Sequence, residues 1–318
     1  MNPVSIIIPV YGRDDALDTV PFLLRQPYAD AIRIIVVDNG NDAERSSRLK
    51  ALSSSAVEVI SFPENRGGSA AYIAGMERGR RKFPECRYVW LLDDDAKPNA
   101  CTLPALVESL DRLVASDPHA ASIGSTVVSA KDPACIVECG ASYSVLLGHA
   151  FPRLAGCRLP EVGEQTLRVD YAAACSLLVN VAAVEACGFW EDVFIHLDDI
   201  EWGLRVSKAG WRNYATTAST VIHPEFDPEK AGDWICYFDA RNLYWLASKY
   251  GLFAVLCAWT KNGLKNTIDR CRRRHPRRVA ARRLAWRDFR VGTRRTRTEV
   301  EEALGRAGVA ERNGGGHP

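Results

Sequence analysis

Val4-Ser-Ile-Ile-Ile-Pro-Val10 is an apolar, largely β-branched run that stops at Tyr11-Gly12. Such a run, without polar alternation, reads as a strand buried on both faces, the kind found in parallel sheets covered by helices. Outward from it the theme repeats. Residues 14–25 read as a helix, and Ile32-Arg-Ile-Ile-Val-Val37 as a second strand ending in the turn chemistry of Asp38-Asn39-Gly40. Residues 57–62 make a third strand, followed by Asn65-Arg66-Gly67-Gly68 and a helix over 69–81. Tyr88-Val-Trp-Leu-Leu92 is a fourth strand, running straight into Asp93-Asp94-Asp95. A helix over 103–115 and a strand over 121–128 continue the series. This alternation predicts an α/β fold, with a Rossmann-like, mainly parallel sheet and helices on both faces. Ligands of such sheets bind beyond the carboxyl ends of the strands. The polar clusters at Tyr11, Asp38, Arg66 and Asp93–Asp95 fall at those ends.

Beyond residue 130 the pattern loosens into short strand-like pieces. Residues 172–186 are small and apolar, and 198–209 form an amphipathic helix with Ile200 and Leu204 inward and Gly210 as its stop. Helices are expected over 234–249 and 253–267. The organisation expected is therefore a catalytic domain over 1–228, in halves 1–130 and 131–228. A basic helical region follows over 229–300, and a tail over 301–318 is expected to lack structure.

The chain has 318 residues, 47% hydrophobic and 25% charged, which is a globular composition, and a net charge of +2 that says nothing about partners. The distribution says more, because residues 270–297 are dense in arginine. Ten cysteines occur without a CxxC pair, and Cys135 with Cys139 has no second pair, which argues against structural zinc and for buried free thiols in a reducing cytosol. The first apolar run is too short for a signal peptide, and no stretch reaches the ~18 apolar residues that span a bilayer. A cytoplasmic protein is expected, free or peripheral on the cytoplasmic face of the membrane. Phe253, Leu256, Trp259 and Leu264 beside the arginines suit an anionic membrane surface through 253–297. A solvated helix face competes with that reading, nucleic acid is not an expected partner, and an oligomer stays open.

Three consecutive acids at a strand end repel one another, and a divalent cation bound to phosphates would offset that repulsion. In extended backbone Asp93 and Asp95 share a face while Asp94 points elsewhere; a solvated acidic turn is the alternative. Asp198-Asp199 opens a helix, where carboxylates cap free amides. Two adjacent acids exceed what a cap needs, and one could deprotonate an acceptor hydroxyl. His223 gains meaning as a third metal ligand only in company with the acids. Asn65-Arg66-Gly67-Gly68-Ser69 precedes a helix and could hold phosphate, or serve as a plain glycine turn.

Together VSIIIPVYGR, IIVVDNG, NRGGSAAYIAGM, WLLDDDA, FIHLDDIEWGLRVSKAG and VIHPEF resemble the family 2 glycosyltransferases, inverting enzymes of the GT-A fold, over roughly residues 3–250. Within that family the chain looks most similar to galactofuranosyl- and rhamnosyltransferase-like members. The resemblance implies a donor site formed by Pro9, Tyr11, Asp38, Arg66, Gly67, Asp93 and Asp94. It further implies Mn²⁺ or Mg²⁺ on Asp93, Asp95 and His223, and Asp199 as base with Asp198 beside it. Trp190 and Glu201 are implied at the acceptor. The implied partners are a nucleotide-diphosphate sugar, UDP-galactofuranose or dTDP-rhamnose, and a glycan or lipid-linked acceptor of cell-envelope or natural-product glycoside synthesis. Alternatives are a non-catalytic nucleotide-sugar-binding protein and a sugar-1-phosphate nucleotidyltransferase. The latter needs a glycine- and lysine-rich first loop, which PVYGRDDAL is not. A processive synthase is disfavoured by the lack of membrane spans and of a QxxRW-like segment.

Overall fold

The computed structural model describes residues 2–40, 42–225, 232–272 and 275–313. Its first half alternates as the sequence predicts: β1 (Val4–Val10), α1 (Ala16–Leu24), β2 (Ile32–Asp38), α2 (Ala43–Lys50), β3 (Val57–Ser61), α3 (Gly67–Lys82) and β4 (Tyr88–Leu92). Next come β5 (Lys97–Pro98), α4 (Thr102–Ser116) and β6 (Ala120–Ser129). The looser stretch holds β7 (Ile136–Glu138), β8 (Ala141–Ser144), β9 (His149–Pro152), α5 (Leu159–Val162) and β10 (Thr166–Val169). It is closed by β11 (Ser176–Asn180), α6 (Val181–Cys187), α7 (Asp198–Lys208) and β12 (Arg212–His223). Four helices end the chain: α8 (Asp233–Ser248), α9 (Leu252–Cys271), α10 (Pro276–Val291) and α11 (Arg297–Asn313).

The main sheet has the order β10-β12-β6-β11-β4-β1-β2-β3, with β5 on β12 and β7 on β6. β3, β2, β1 and β4 run parallel, as do β6 and β12, while β11 lies antiparallel between β4 and β6. The chain leaves β1 toward β2 on one side and returns to β4 on the other, which places a switch in strand order beside β1. Register aligns the carboxyl ends, since Val10 pairs with Asp38 and Asp38 with Ser61. Side chains alternate across the sheet as pleating requires. Ile6 and Ile8 pack in one core with Val20, Leu103 and Leu106, and Ile7 in the opposite core with Ala71, Met76 and Trp202.

The molecule divides into two compact units. The first comprises Met1–Tyr143, Ala150–Asp192 and Asp198–Glu225; the second comprises Ser144–His149, Val193–Leu197 and Phe226–Pro318. The expected single boundary at 228/229 lies outside the described residues, and a single cut is too simple. Segments 144–149 and 193–197 cluster with the helices because their side chains, Val145, Phe194, Ile195 and Leu197 among them, pack in the helical core. The expected unstructured tail is corrected too. α11 carries residues 301–313, anchored by the buried Val300 and Leu304, and only 314–318 of that tail lie outside the described residues. All ten cysteines are free, but only Cys86, Cys139 and Cys175 are buried while Cys101, Cys157 and Cys271 are exposed, so the expectation of buried thiols fails for most of them. No described helix is long and apolar enough to cross a membrane.

One glycine shows how tightly α7 is seated. A Cβ at Gly203 would stand 2.4 Å from the Asp170 carbonyl oxygen and 2.8 Å from Tyr171 Cβ. Asn213 ties the same place, donating to Gly203 O at 2.9 Å and Asp170 O at 3.1 Å. Gly203→Ala should therefore lower the stability of the fold by about 1–3 kcal/mol, read as a lower urea midpoint. An unchanged midpoint would contradict this packing.

Candidate active site

The carboxyl edge of the sheet gathers the acidic residues. Asp93 follows β4 directly, and its backbone N–H donates to Cys175 O (3.3 Å), just ahead of β11. From α3, Tyr72 donates its hydroxyl to Asp93 Oδ1 (2.7 Å). His223 ends β12, and its Nε2 lies 3.1 Å from Asp95 Oδ1 and 3.5 Å from Asp93 Oδ2. Asp93, Asp95 and His223 each offer one ligand atom, all within 4.8 Å of one another. Asp94 instead accepts the Tyr11 backbone N–H (3.2 Å). Arg13 pairs with Asp95 and stands 3.8 Å from Asp94. Burial pushes the Asp94 carboxyl up to about 6, against the Tyr11 hydrogen bond and with the Asp93 charge. Burial works to raise Asp93 as well, yet hydrogen bonds and charge from His223, Tyr72 and Arg13 hold it below the usual value.

A second acidic group surrounds the start of α7. Ile200 N–H donates to Asp199 Oδ1 (2.7 Å), and Asp199 N–H to Asp198 Oδ1 (3.2 Å), so each acid satisfies the first-turn amide that follows it. They are also more than caps. Ser69 of α3 donates to Asp198 Oδ2 at 2.6 Å. Burial, then the Asp198 charge, push the Asp199 carboxyl well above the usual carboxylate range, although Ile200 and Ala174 N–H groups bond to it. Glu138 of β7 adds to that repulsion. Its own carboxyl is raised by burial and opposed by the Ala173 N–H and the His223 charge. Glu138 Oε1 has no hydrogen-bond partner among the described residues. Charge thus links Glu138 to both His223 and Asp199, and the sequence reading assigns no role to it, to Tyr72 or to Arg13, nor does it link Ser69 to Asp198.

The other expected donor residues lie along the same edge. Pro9 pairs with Val37 in the β1–β2 ladder, and Tyr11 is partly exposed beside Gly40. Asp38 is only 1% exposed and accepts a hydrogen bond from Ser46. Asn39 fixes the 65–67 turn, donating to Asn65 Oδ1 (3.2 Å) and Gly67 O (2.9 Å) and accepting the Arg66 N–H (2.9 Å). Gly67 opens α3 at φ +88°, a left-handed value that glycine reaches without strain. The Arg66 guanidinium lies 4.8 Å from the Phe62 ring centroid.

Two acceptor expectations need correcting. Glu201 is 2% exposed and binds Arg205 at 2.9 and 3.2 Å, while Arg205 also donates to the carbonyls of Cys187 and Phe189. Its place one turn before Arg205, on the inner face of α7, makes it an internal strut. Trp190 is 5% exposed, stacked on Phe189 and edge-on to Tyr72 at 5.1 Å. Its ring borders a 660 Å³ cleft between α3 and α6 but offers no open platform.

Within the helical unit, Phe194, His196 and Leu197 all have φ between 65° and 73°. Non-glycine residues resist that conformation. Asn242 Nδ2 donates to the carbonyl oxygens of Val193, Ile195 and His196 (3.2, 2.6 and 2.9 Å). His196 Nδ1 lies 2.7 Å from Asp239 Oδ1. These bonds hold the segment that runs into Asp198, and they give Asn242 a structural task.

The model of the family described as Glycosyl transferase family 2 matches residues 5–132. Over 95% of its length the chain is 23% identical to galactofuranosyltransferase GlfT2 of Mycolicibacterium smegmatis, covering 49% of that protein. It is equally 23% identical to GlfT2 of Mycobacterium tuberculosis, again over 95% of the chain and covering 50% of that protein. The chain spans about half the length of the curated relatives it matches. Among solved structures, GalNAc-T7 with UDP, GalNAc and Mn²⁺ aligns with a TM-score of 0.59 over 78% of this chain and 48% of that one, at 11% identity. The mannosyltransferase PcManGT from Pyrobaculum calidifontis, in complex with GDP-Man and Mn²⁺, aligns at 0.54 over 96% and 79%, at 15% identity. At those identities the likeness is one of fold.

Proposed function

We propose that the chain is a glycosyltransferase carrying a family 2 domain on the GT-A fold, and that it is an inverting, divalent-metal-dependent enzyme. It moves galactofuranose from UDP to a hydroxyl of a glycan or lipid-linked acceptor in envelope or natural-product glycoside synthesis. The observation that carries this reading is the pair of acidic groups. Asp93, Asp95 and His223 converge at one place, and Asp199 stands apart in a buried acidic environment of its own. Galactofuranose is preferred to rhamnose because relatives named for it align over 95% of the chain.

Two carboxylates and an imidazole suit Mn²⁺ or Mg²⁺, and Asp93, Asp95 and His223 would hold it. When bound, the ion supplies Lewis-acid neutralisation of the leaving diphosphate. Tyr72, through Asp93, keeps that carboxylate oriented. Pro9, Tyr11 and Asp38 line the nucleotide side, and on the turn held by Asn39, where Gly67 opens α3, the Arg66 guanidinium presents its charge to phosphate. Asp94 borders the donor. Asp199 takes the acceptor proton as the hydroxyl attacks opposite the leaving group, so the anomeric centre inverts. Its raised affinity for a proton suits that work better than an ordinary carboxylate would. Asp198, fixed by Ser69, holds the neighbouring position.

A thermal-shift panel of nucleotide sugars with and without Mn²⁺ tests the proposal. UDP-galactofuranose with Mn²⁺ should stabilise the protein by about 2.7 kcal/mol at a hundred times its Kd, and more than dTDP-rhamnose does. If no nucleotide sugar shifts the transition in the presence of metal, the reading fails.

A further inference from the structure

The outward face of α9 does not look like the surface of a helix meant for water. Leu252 is 75% exposed and Trp259 51%, and Phe253, Leu256, Leu264 and Ile268 are exposed as well. Their spacing, with steps of three and four between 253, 256, 260 and 264, places them on one side, opposite the buried Ala254, Val255, Ala258 and Asn262. The remaining exposed positions on that side are threonines 260 and 267. The charges of the helix lie off that row: Lys265 is exposed but turned to the side of Ala254 and Ala258, and the others stand at the edge or the end. Lys261 donates to the carbonyls of Leu147 and Gly148, Asp269 pairs with Arg282, and Arg270 and Arg272 stand exposed at the C-terminal end. An exposed apolar row of this size marks a contact surface.

The charge around it identifies what makes the contact. Residues 270–297 contain thirteen arginines and a single acid, Asp288. On α10, Arg283, Arg287 and Arg290 are exposed at positions i, i+4 and i+7, one cationic stripe. Arg283, Arg287, Arg295 and Arg306 wall a 560 Å³ cleft between α10 and α11 whose other walls are alanine and leucine. A second copy of the chain would bring an equally cationic unit against this one, which repulsion opposes. An acid-headed, hydrocarbon-filled surface satisfies both features at once.

We propose that the helical unit docks on an anionic lipid bilayer, with the exposed row of α9 entering the interface and the exposed Arg270, Arg272, Arg283, Arg287 and Arg290 meeting headgroup phosphates. The helix lies on the membrane and does not cross it. This goes beyond the transferase reading and does not depend on it, because the residues involved lie outside the acidic site.

The test is sedimentation of the full chain with vesicles of phosphatidylcholine alone or mixed with phosphatidylglycerol, at low and high salt. Binding is expected to the mixed vesicles at low salt, to weaken at high salt, and to be absent on phosphatidylcholine. Leu256→Ser with Leu264→Ser should weaken it about tenfold or more, by removing two apolar anchors. Arg283→Gln with Arg290→Gln should weaken it without touching α9. Both pairs are solvent-facing, and an unchanged circular dichroism melt confirms that each variant is folded. No binding to anionic vesicles overturns the proposal, as does equal binding by the leucine variant. A concentration-dependent dimer in sedimentation velocity, abolished by the same leucine changes, overturns it in favour of a second copy. Tight binding of a DNA or RNA oligonucleotide in place of vesicles overturns it as well.

Discussion

Asp199→Asn should retain metal-dependent binding of the nucleotide sugar and lose transfer, with kcat lower by about a thousandfold. The split follows from where the residue sits. Among the described residues Asp199 makes no hydrogen bond or ion pair with Asp93, Asp95 or His223; its bonds are to the Ile200 and Ala174 N–H groups. On the proposed function the native chain should also show an acid limb in kcat/KM displaced upward from the ordinary carboxylate range, because burial and the Asp198 charge favour the protonated form. Activity is lost as pH falls through that raised value. The sign for stability is opposite to the usual aspartate case. A carboxyl raised in the folded state binds more protons folded than unfolded, so its contribution turns unfavourable as pH rises through the window above the unfolded value. Asp199→Asn should therefore be no less stable than the native chain above neutral pH, which separates loss of chemistry from loss of fold. Near-normal turnover by a stable variant would remove Asp199 from the role of base.

What could be read from the sequence and what could not divides along contact distance. β1 to β4 and Asp93–Asp95 were legible because each is a contiguous run whose burial its own residues declare, and register then places Asp93 at the edge where ligands of such sheets bind. His223 gains meaning from the sequence only in company with the acids, and that company is a matter of tertiary distance: its Nε2 lies 3.1 Å from Asp95 and 3.5 Å from Asp93. Glu138 sits on a three-residue strand with no periodicity to betray it, and its importance lies in charges on β12 and α7. Ser69 and Asp198 are 129 residues apart, and no local rule pairs them. Glu201 shows the reverse error. As one of three acids in a motif it reads as a substrate ligand, but an arginine one turn later on the buried face occupies both its oxygens. The end of α11 reads as a loose tail because its polar composition hides the two residues, Val300 and Leu304, that seat the helix.

Removing a ligand of the acidic cluster should abolish what Asp199→Asn leaves intact. His223→Ala and Asp95→Asn are each expected to weaken Mn²⁺-dependent donor binding by at least about a hundredfold, since each leaves two protein ligands where three stood. Asp94→Asn should do much less to the metal, because that carboxylate is turned to the Tyr11 backbone. Arg13 provides a test of opposite sign. Its guanidinium pairs with Asp95, so a cation entering the cluster must displace it or share the carboxylate. Arg13→Gln should consequently raise the affinity for Mn²⁺ measured by calorimetry without nucleotide, while the two ligand substitutions lower it. A neutral acidic turn of the ordinary surface kind predicts no such reversal, since weakly held charges respond to a neighbouring arginine and a neighbouring histidine in similar small measure. Equal Mn²⁺ affinity in all three variants would remove the metal from the cluster, and with it the reason for three consecutive acids at the end of β4.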